Sequence, residues 1–247
     1  MKIASWNVNS LKVRLPQVLD WINLNQPDVL CLQETKQNND NFPHDVFEKR
    51  GLFSYHNGQN TYNGVAIISN KELIDVQFDI SNFHDEQKRL ISGIYPNNEG
   101  PKFRVISAYI PNGQSLNSDK FEYKINWLKS FISSLQKKID GVENIITGDF
   151  NIAPTKLDCY DSKSWDGKIL VSPQEREYFD KLLNLGFIDT FREMNPYANE
   201  FSWWDYRIPF KRNLGMRIDH ILLSKNLLTF LKKAYIDKTT RTLERPS

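Results

Sequence analysis

Cysteine is nearly missing from this sequence: Cys31 and Cys159 are the only two in 247 residues. Two cysteines in a chain this long are no disulfide framework, which fits a reducing, cytoplasmic compartment. Long apolar runs are missing too. Nothing approaches the roughly 20 residues that span a bilayer, and the opening Met1-Lys2-Ile3-Ala4-Ser5-Trp6-Asn7 has no apolar leader core. No membrane partner is expected. There is also no surplus of one charge: 32 Lys and Arg against 30 Asp and Glu leave a net +2. Any binding of nucleic acid must therefore come from local placement of Lys and Arg, not from a global basic field. Repeats, low-complexity tracts and linkers are absent as well, so residues 1–247 are read as one domain. What is present is core material, with 40% hydrophobic and 13% aromatic residues.

The stretch Ile145-Ile146-Thr147-Gly148-Asp149-Phe150-Asn151-Ile152-Ala153-Pro154 organises the rest. Ile145 and Ile146 read as the end of a buried strand, Gly148 permits a tight backbone, and Pro154 stops regular structure. Asp149 and Asn151 form an i, i+2 pair, which an extended backbone points to one side. A carboxylate beside a carboxamide at a strand end suits water activation and phosphate-oxygen binding. The competing reading is a strand followed by an ordinary Asx-turn.

Along the chain, residues 2–9 alternate as a strand with a polar end at Asn7 and Asn9, and Leu11, Leu15, Val18, Leu19 and Ile22 recur at helical spacing until Gln26-Pro27. Residues 28–33 form an apolar strand closed by Glu34-Thr35-Lys36. In such a strand–helix–strand unit, ligand sites lie beyond the strand C-termini. Glu34 beside Asn7 is then a candidate hard-cation ligand, against a plain surface role. Residues 44–51 suit a short helix; residues 52–57 with 62–69, and 89–95 with 102–110, suit hairpin pairs, the second joined through residues 96–100. The latter ends in Tyr109-Ile110-Pro111-Asn112, where Tyr109 is either a packed strand-end ring or, if it ends near Asp149, a functional phenol. Residues 118–138 give the longest helix, capped by Ser118, with Phe121, Ile125, Leu128, Ile132 and Leu135 as its apolar stripe and lysines on the far face. Residues 157–171 are irregular, and Ser172-Pro173 opens a helix towards Gly186.

Near the end, Phe201-Ser202-Trp203-Trp204-Asp205-Tyr206-Arg207 is an aromatic run with a cationic end, with Lys211, Arg212 and Arg217 nearby. It is either a packed strand, in which at most one Trp is wholly core, or an apolar wedge for a sugar or unstacked base. Residues 217–224 are a strand burying Asp219 and His220. His220 reads as a satisfied core histidine, whereas Asp219 needs a partner. Helices interspersed with both crossovers and hairpins predict an α/β (α+β) fold of two packed mixed sheets with helices outside.

The segments WNVNSLK (6–12), LQETK (32–36), YNGVAI (62–67), AYIPNG (108–113), GDFNIAP (148–154), FSWWDYR (201–207) and RIDHILLS (217–224) occur in order. Together they resemble the exonuclease III family of abasic-site (AP) endonucleases, in the endonuclease/exonuclease/phosphatase superfamily. The resemblance implies a DNase I-like, four-layer α/β sandwich. It implies a DNA-repair nuclease that hydrolyses the phosphodiester 5′ to an abasic site, with 3′→5′ exonuclease activity, using Mg²⁺ with Mn²⁺ as a possible substitute. The implied partner is double-stranded DNA with abasic sites or 3′ ends, and a monomer is expected.

Carried over by the resemblance, Asn7, Glu34, Asp149 and Asn151 match metal positions. Asp149 matches the carboxylate that takes a proton from the attacking water, and Asn151 a side chain that orients it. Tyr109 matches a phenol set against the scissile phosphate, and Asp219 a carboxylate that orients a histidine. Asn9, Lys36, Asn112 and Arg207 match DNA-contacting positions. Trp203, Met216 and Ile218 fall where the family builds an apolar pocket for the base-free sugar. In the family a Ser-Asp-His triplet opens the last core strand. Here Glu244-Arg245-Pro246-Ser247 ends the sequence, so the expectation is a chain cut before that Asp-His pair and its apolar strand. The alternative reading is a catalytically impaired relative that only binds nucleic acid or protein. Phospholipid or inositol-phosphate hydrolysis is disfavoured by the Trp203-Trp204 run.

Overall fold

The first third of the chain folds into one sheet and its covering helices. In the computed structural model, which describes residues 1–247 apart from 98, 99, 138 and 247, β1 (Ile3–Asn7) leads into α1 (Leu11–Asn25) and back into β2 (Val29–Gln33). After a short α2 (His44–Glu48), the hairpin of β3 (Phe53–Asn57) and β4 (Val65–Ser69) completes a sheet of order β1-β2-β4-β3. β1 and β2 are parallel and the other pairs antiparallel.

The second sheet uses β5 (Ile74–Phe78), β6 (Leu90–Tyr95), β7 (Lys102–Tyr109), then α3 (Asp119–Leu135) and β8 (Val142–Asp149). α4 (Pro173–Asn184), β9 (Phe187–Asp189) and α5 (Thr190–Met194) follow. The two-residue strands β10 (Trp203–Trp204) and β11 (Gly215–Met216) pair as a ribbon, and β12 (Asp219–Ser224) completes the sheet. Its order is β5-β6-β7-β8-β12-β9, with only β7 and β8 parallel.

Side-chain alternation stacks these pieces into four layers. On β2, Leu30 and Leu32 pack with Val18 and Ile22 beneath α1, while Val29 and Cys31 face inward against Val105 and Ile145. On β8 the pattern repeats: Ile145 points to the first sheet, and Ile146 points outward to Phe121 and Leu128 of α3 and Phe179 of α4. Each aliphatic side chain fully buried this way contributes about 1.5–3 kcal/mol relative to exposure. A one-residue slip of β8 would turn all of them to the wrong layer. The core thus fixes which way Asp149 points at the strand's end. Cys31 and Cys159 are buried free thiols.

The expected two-sheet architecture is present, and most expected elements lie within a few residues of their predicted bounds. Three differences have physical causes. β5 was not among the expected strands: it is an edge strand with a register irregularity and mostly exposed residues, so no buried face marks it. The aromatic run keeps strand pairing only at Trp203 and Trp204. In α3, Lys120 and Lys129 do face solvent, but Lys124 is fully buried, because it reaches an acid and two carbonyls inside. The predicted end of this helix at residue 138, and residues 98 and 99 of the predicted 96–100 connection, lie outside the described residues.

Gly148 holds the parallel β7–β8 pair together at the point that matters most. It sits opposite Ala108 with φ +143, and a Cβ there would lie 1.8 Å from the Ala108 carbonyl oxygen. Backbone, unlike a flexible side-chain tip, cannot give way cheaply. Gly148→Ala is expected to cost more than about 4 kcal/mol, the range kept for severe core disruption. Urea unfolding measures it; a loss under about 0.5 kcal/mol would mean that the strands part freely there.

Candidate active site

Five strand ends supply the polar groups. Asn7 is the last residue of β1, Tyr109 of β7 and Asp149 of β8; Asp219 is the first of the antiparallel β12; Glu34 follows β2 directly. Register forces the company: Tyr109 and Asp219 are both the strand partners of Asp149. The first sheet delivers Asn7 and Glu34 to the same end.

The hydrogen bonds close the set. Asn7 Nδ2 donates to Glu34 Oε1 and to Asp149 Oδ2, both at 2.9 Å. Tyr109 Oη donates to the same Glu34 Oε1 at 2.9 Å. Lys36 Nζ sits 2.9 Å from Glu34 Oε2 and donates to Asn9 Oδ1 at 2.6 Å. The Asn151 N–H donates to Asp149 Oδ1 at 2.9 Å, which is the Asx-turn that the sequence allowed. Turn and functional pair are therefore the same object. Asn151 Nδ2 donates to the Ile110 carbonyl at 3.0 Å, and Asn151 Oδ1 accepts from Asn112 Nδ2 at 2.9 Å. Asn9, Ser10, Glu34, Lys36 and Asn151 all have positive φ. Non-glycine residues held there carry strain, which the surrounding fold must over-determine.

Sequence reasoning did not find three further residues at this end. Ser202 Oγ donates to Asp219 Oδ2 at 2.6 Å and accepts the Ile218 and Asp219 N–H groups at 3.1 and 3.0 Å. This hydroxyl is the partner that Asp219 required, and its position beside the tryptophans was the only sequence signal. Arg89 packs 4.7 Å over the Tyr109 ring and donates to its carbonyl at 3.2 Å. Lys124 grips the Asn151 carbonyl at 2.8 Å. His220 is the satisfied core histidine expected: Nε2 meets the Ile152 carbonyl at 2.9 Å and Nδ1 meets Arg217 at 3.0 Å.

The aromatic side of the cleft is mixed. Trp204 is 2% exposed and Trp203 only partly buried, so one of the pair is core. Met216 and Ile218 are buried and packed beneath Trp203, so they back the wall instead of opening to solvent. Arg207 is exposed and forks onto Asp205.

Comparison with known proteins places this geometry. The signature of the endonuclease/exonuclease/phosphatase family matches residues 4–241. Exodeoxyribonuclease III of Haemophilus influenzae is 37% identical over 259 aligned positions, covering 100% of this chain and 96% of that protein. Among solved structures, the 3′ phosphatase NExo from Neisseria bound to a product DNA hairpin superposes with a TM-score of 0.96 at 42% identity, covering 100% of this chain and 95% of that one. An AP endonuclease from Archaeoglobus fulgidus gives 0.94 at 34% identity, covering 100% and 96%. The chain belongs to the endonuclease/exonuclease/phosphatase family.

Within that family frame, the electrostatics of the cleft are those of acids short of counter-charge. Burial pushes Asp149 well above the usual carboxylate range, and the charges of Asp219 and Glu34 add to it. Burial, aided by Glu34's charge against the Ser202 bond, lifts Asp219 to about 7. Glu34 goes the other way: burial raises it, but Asn7, Lys36 and Tyr109 together hold it below the ordinary value. Burial and the neighbouring carboxylates push the Tyr109 phenol up, so it is a donor at neutral pH. Among the described residues no three His, Cys, Asp or Glu side chains enclose a common point as a ready metal cage. That suits a cation held by one or two carboxylates, with water and a ligand's phosphate completing its shell. Glu34 and Asp149, bridged by one amide, offer the all-oxygen donors such a hard cation takes.

The sign of the pH effect follows. Unfolded Asp219 titrates near about 3.9, and in the folded protein it keeps its proton to about 7. Between those values the folded state binds more protons, so stability of the metal-free protein falls as pH rises, with the full cost present above about 7. A divalent cation offsets that repulsion only where the carboxylates are ionised. Added MgCl₂ should therefore raise the melting temperature more at pH 8 than at pH 5, and Asp219→Asn should flatten the metal-free slope. Equal MgCl₂ shifts at both pH values would overturn this account.

Proposed function

We propose that the protein is a DNA-repair nuclease. Its reaction is hydrolysis of the phosphodiester 5′ to an abasic site in duplex DNA, with 3′→5′ exonuclease action at 3′ ends, dependent on Mg²⁺ or Mn²⁺. The observation that carries this reading is the bridge from Asn7 to Glu34 and Asp149, with Tyr109 on the same Glu34 oxygen. Two acids, a phenol and an amide converge where two sheets end, a geometry suited to phosphoryl chemistry. The relatives named exodeoxyribonuclease III and AP endonuclease support the same substrate class.

In this reading Glu34 and Asp149, with Asn7 and Asn151 beside them, hold the cation. When bound, it would supply charge neutralisation at the phosphate and at the leaving oxygen. Asp149 takes the proton of the attacking water, a task suited to a carboxylate whose burial has raised its proton affinity. The Asn151 amide, clamped by Ile110 and Asn112, orients that water. On DNA binding Tyr109 turns its one O–H from Glu34 to a phosphate oxygen, and Arg89 on its ring fixes its angle. Asp219, bonded to Ser202, adds negative charge beside Asp149 and raises its basicity. Asn9, Lys36, Asn112 and Arg207 contact the DNA backbone. Trp203, with Met216 and Ile218 behind it, forms the apolar wall that receives a sugar without a base.

A duplex carrying one abasic site, incubated with the protein and MgCl₂, tests the reading. Cleavage on the 5′ side is expected, with none in EDTA; binding without cleavage would leave a DNA-binding relative instead. Asp149→Asn should lower the rate by about 10²–10⁴ while DNA affinity persists, and survival of cleavage would return Asp149 to a turn residue. Trp203→Ala should reduce the preference for abasic over intact duplex more than it reduces total binding. Equal losses on both duplexes would assign Trp203 to the core.

A further inference from the structure

Away from the cleft floor, α3 and α4 bury an ion pair that a core of this kind does not need. Lys124 and Glu175 have no solvent exposure, and Phe121, Trp127, Leu128 and Phe179 around them are buried too. The Lys124 ammonium bonds the Glu175 carboxylate, donates to the Asn151 carbonyl at 2.8 Å and to the Asn112 carbonyl at 3.3 Å. The same Glu175 oxygen, Oε1, also accepts the Leu170 N–H at 3.1 Å, while Oε2 accepts the Ser172 N–H at 3.1 Å and the Ser172 hydroxyl at 2.7 Å. One charge pair thus ties three loops: the one after β7, the one after β8, and the one before α4. Gly113 makes room for it, since a Cβ there would come within 3.2 Å of the Lys124 stem.

A buried pair of this kind is weak as a source of stability. Desolvating two charges costs several kcal/mol per ion, and replacing such pairs by apolar groups of similar shape is often neutral. What this pair supplies is restraint: all three ammonium donors of Lys124 are taken, so neither carbonyl can shift without breaking a bond. Here the two carbonyls it holds belong to the two residues whose side chains meet in the site, Asn112 Nδ2 on Asn151 Oδ1. Asn151 also has positive φ, so its backbone needs outside restraint.

We propose that Lys124 and Glu175 are positioning residues, which aim the Asn151 and Asn112 side chains by fixing their backbone carbonyls. The catalytic consequence rests on the nuclease reading; the restraint itself does not. The test is Lys124→Met combined with Glu175→Gln, which removes both charges while the new amide oxygen still accepts from Leu170 or Ser172.

The expected result is a kcat on abasic duplex lowered about 10²-fold, the cost of a small misplacement of a reacting group. KM should rise less than kcat falls, because, of the DNA contacts, only Asn112 is disturbed, and its carbonyl is the more weakly held at 3.3 Å. The melting temperature should change little. In an Asn151→Ala background the same double change should cost clearly less than in the parent, since the part that acts through Asn151 is already gone and only the part through Asn112 is left. Unchanged kcat, or full additivity with Asn151→Ala, would overturn the proposal. Hydrogen exchange separates this from failure of the nuclease reading: with or without cleavage, uptake in segments 110–113 and 149–153 should rise, together with the 168–172 loop that loses a Glu175 acceptor. No local rise would also overturn it. If the double variant does not fold, Glu175→Gln by itself should lower kcat to a smaller degree beside a marked stability loss from the uncompensated buried ammonium, and intact kcat would decide against the proposal.

Discussion

One carboxamide holds this site together. Asn7 gives both its amide hydrogens away, one to Glu34 and one to Asp149. The two acids belong to different sheets and would otherwise repel each other in a partly desolvated cleft. Asn7 can do this only because β1 is paired with β2 on one side and faces the end of β8 across the layer. Lys36 and Tyr109 share the remaining load on Glu34, which is why that acid alone in the cluster stays easily ionised. Asp149 and Asp219 have hydrogen bonds but no ion-pair partner among the described residues, and burial with the neighbouring acids outweighs those bonds and raises the proton affinity of both.

A second buried network steadies the opposite wall. Arg217 is almost fully enclosed and bonds Asp158 at 2.7 Å and both oxygens of Asp189 at 3.0 and 2.7 Å. It meets His220 Nδ1 as well, and His220 reaches across to the loop after Asp149. Ile218 and Asp219 lie between these two anchors in sequence, so their backbone is held at both ends. In both networks a buried charge holds loops in place. The near-zero net charge is compatible with that use.

The sequence made the two-sheet plan legible because its strongest signals are periodic. Leu11 to Ile22 and Phe121 to Leu135 repeat at helical spacing, and the inner strands carry continuous apolar runs. Glu34, Tyr109, Asp149, Asn151 and Asp219 could be picked out because each is a polar residue abutting such a run. What could not be read was contact between distant segments. Ser202 and Asp219 are 17 positions apart and adjacent in space, with nothing in either neighbourhood to announce it. Lys124 was assigned to solvent, since a lysine in an amphipathic helix ordinarily faces water; only its carboxylate partner 51 positions away explains its burial. β5 escaped because edge strands need no buried face. The resemblance pointed to Met216 and Ile218 as pocket lining without showing that they stand behind Trp203.

The division of the site between two sheets has a consequence for the chain during its synthesis. The first sheet holds only Asn7 and Glu34; Tyr109, Asp149, Asn151 and Asp219 wait on the second. Either half alone lacks the opposing acid or the amide that reconciles the pair. Since β12 must slot between β8 and β9 before Asp219 meets Asp149, assembly of the cleft is among the last events available to the nascent polypeptide. Neither sheet by itself carries the full cluster, so the site exists only where both sheets are in place.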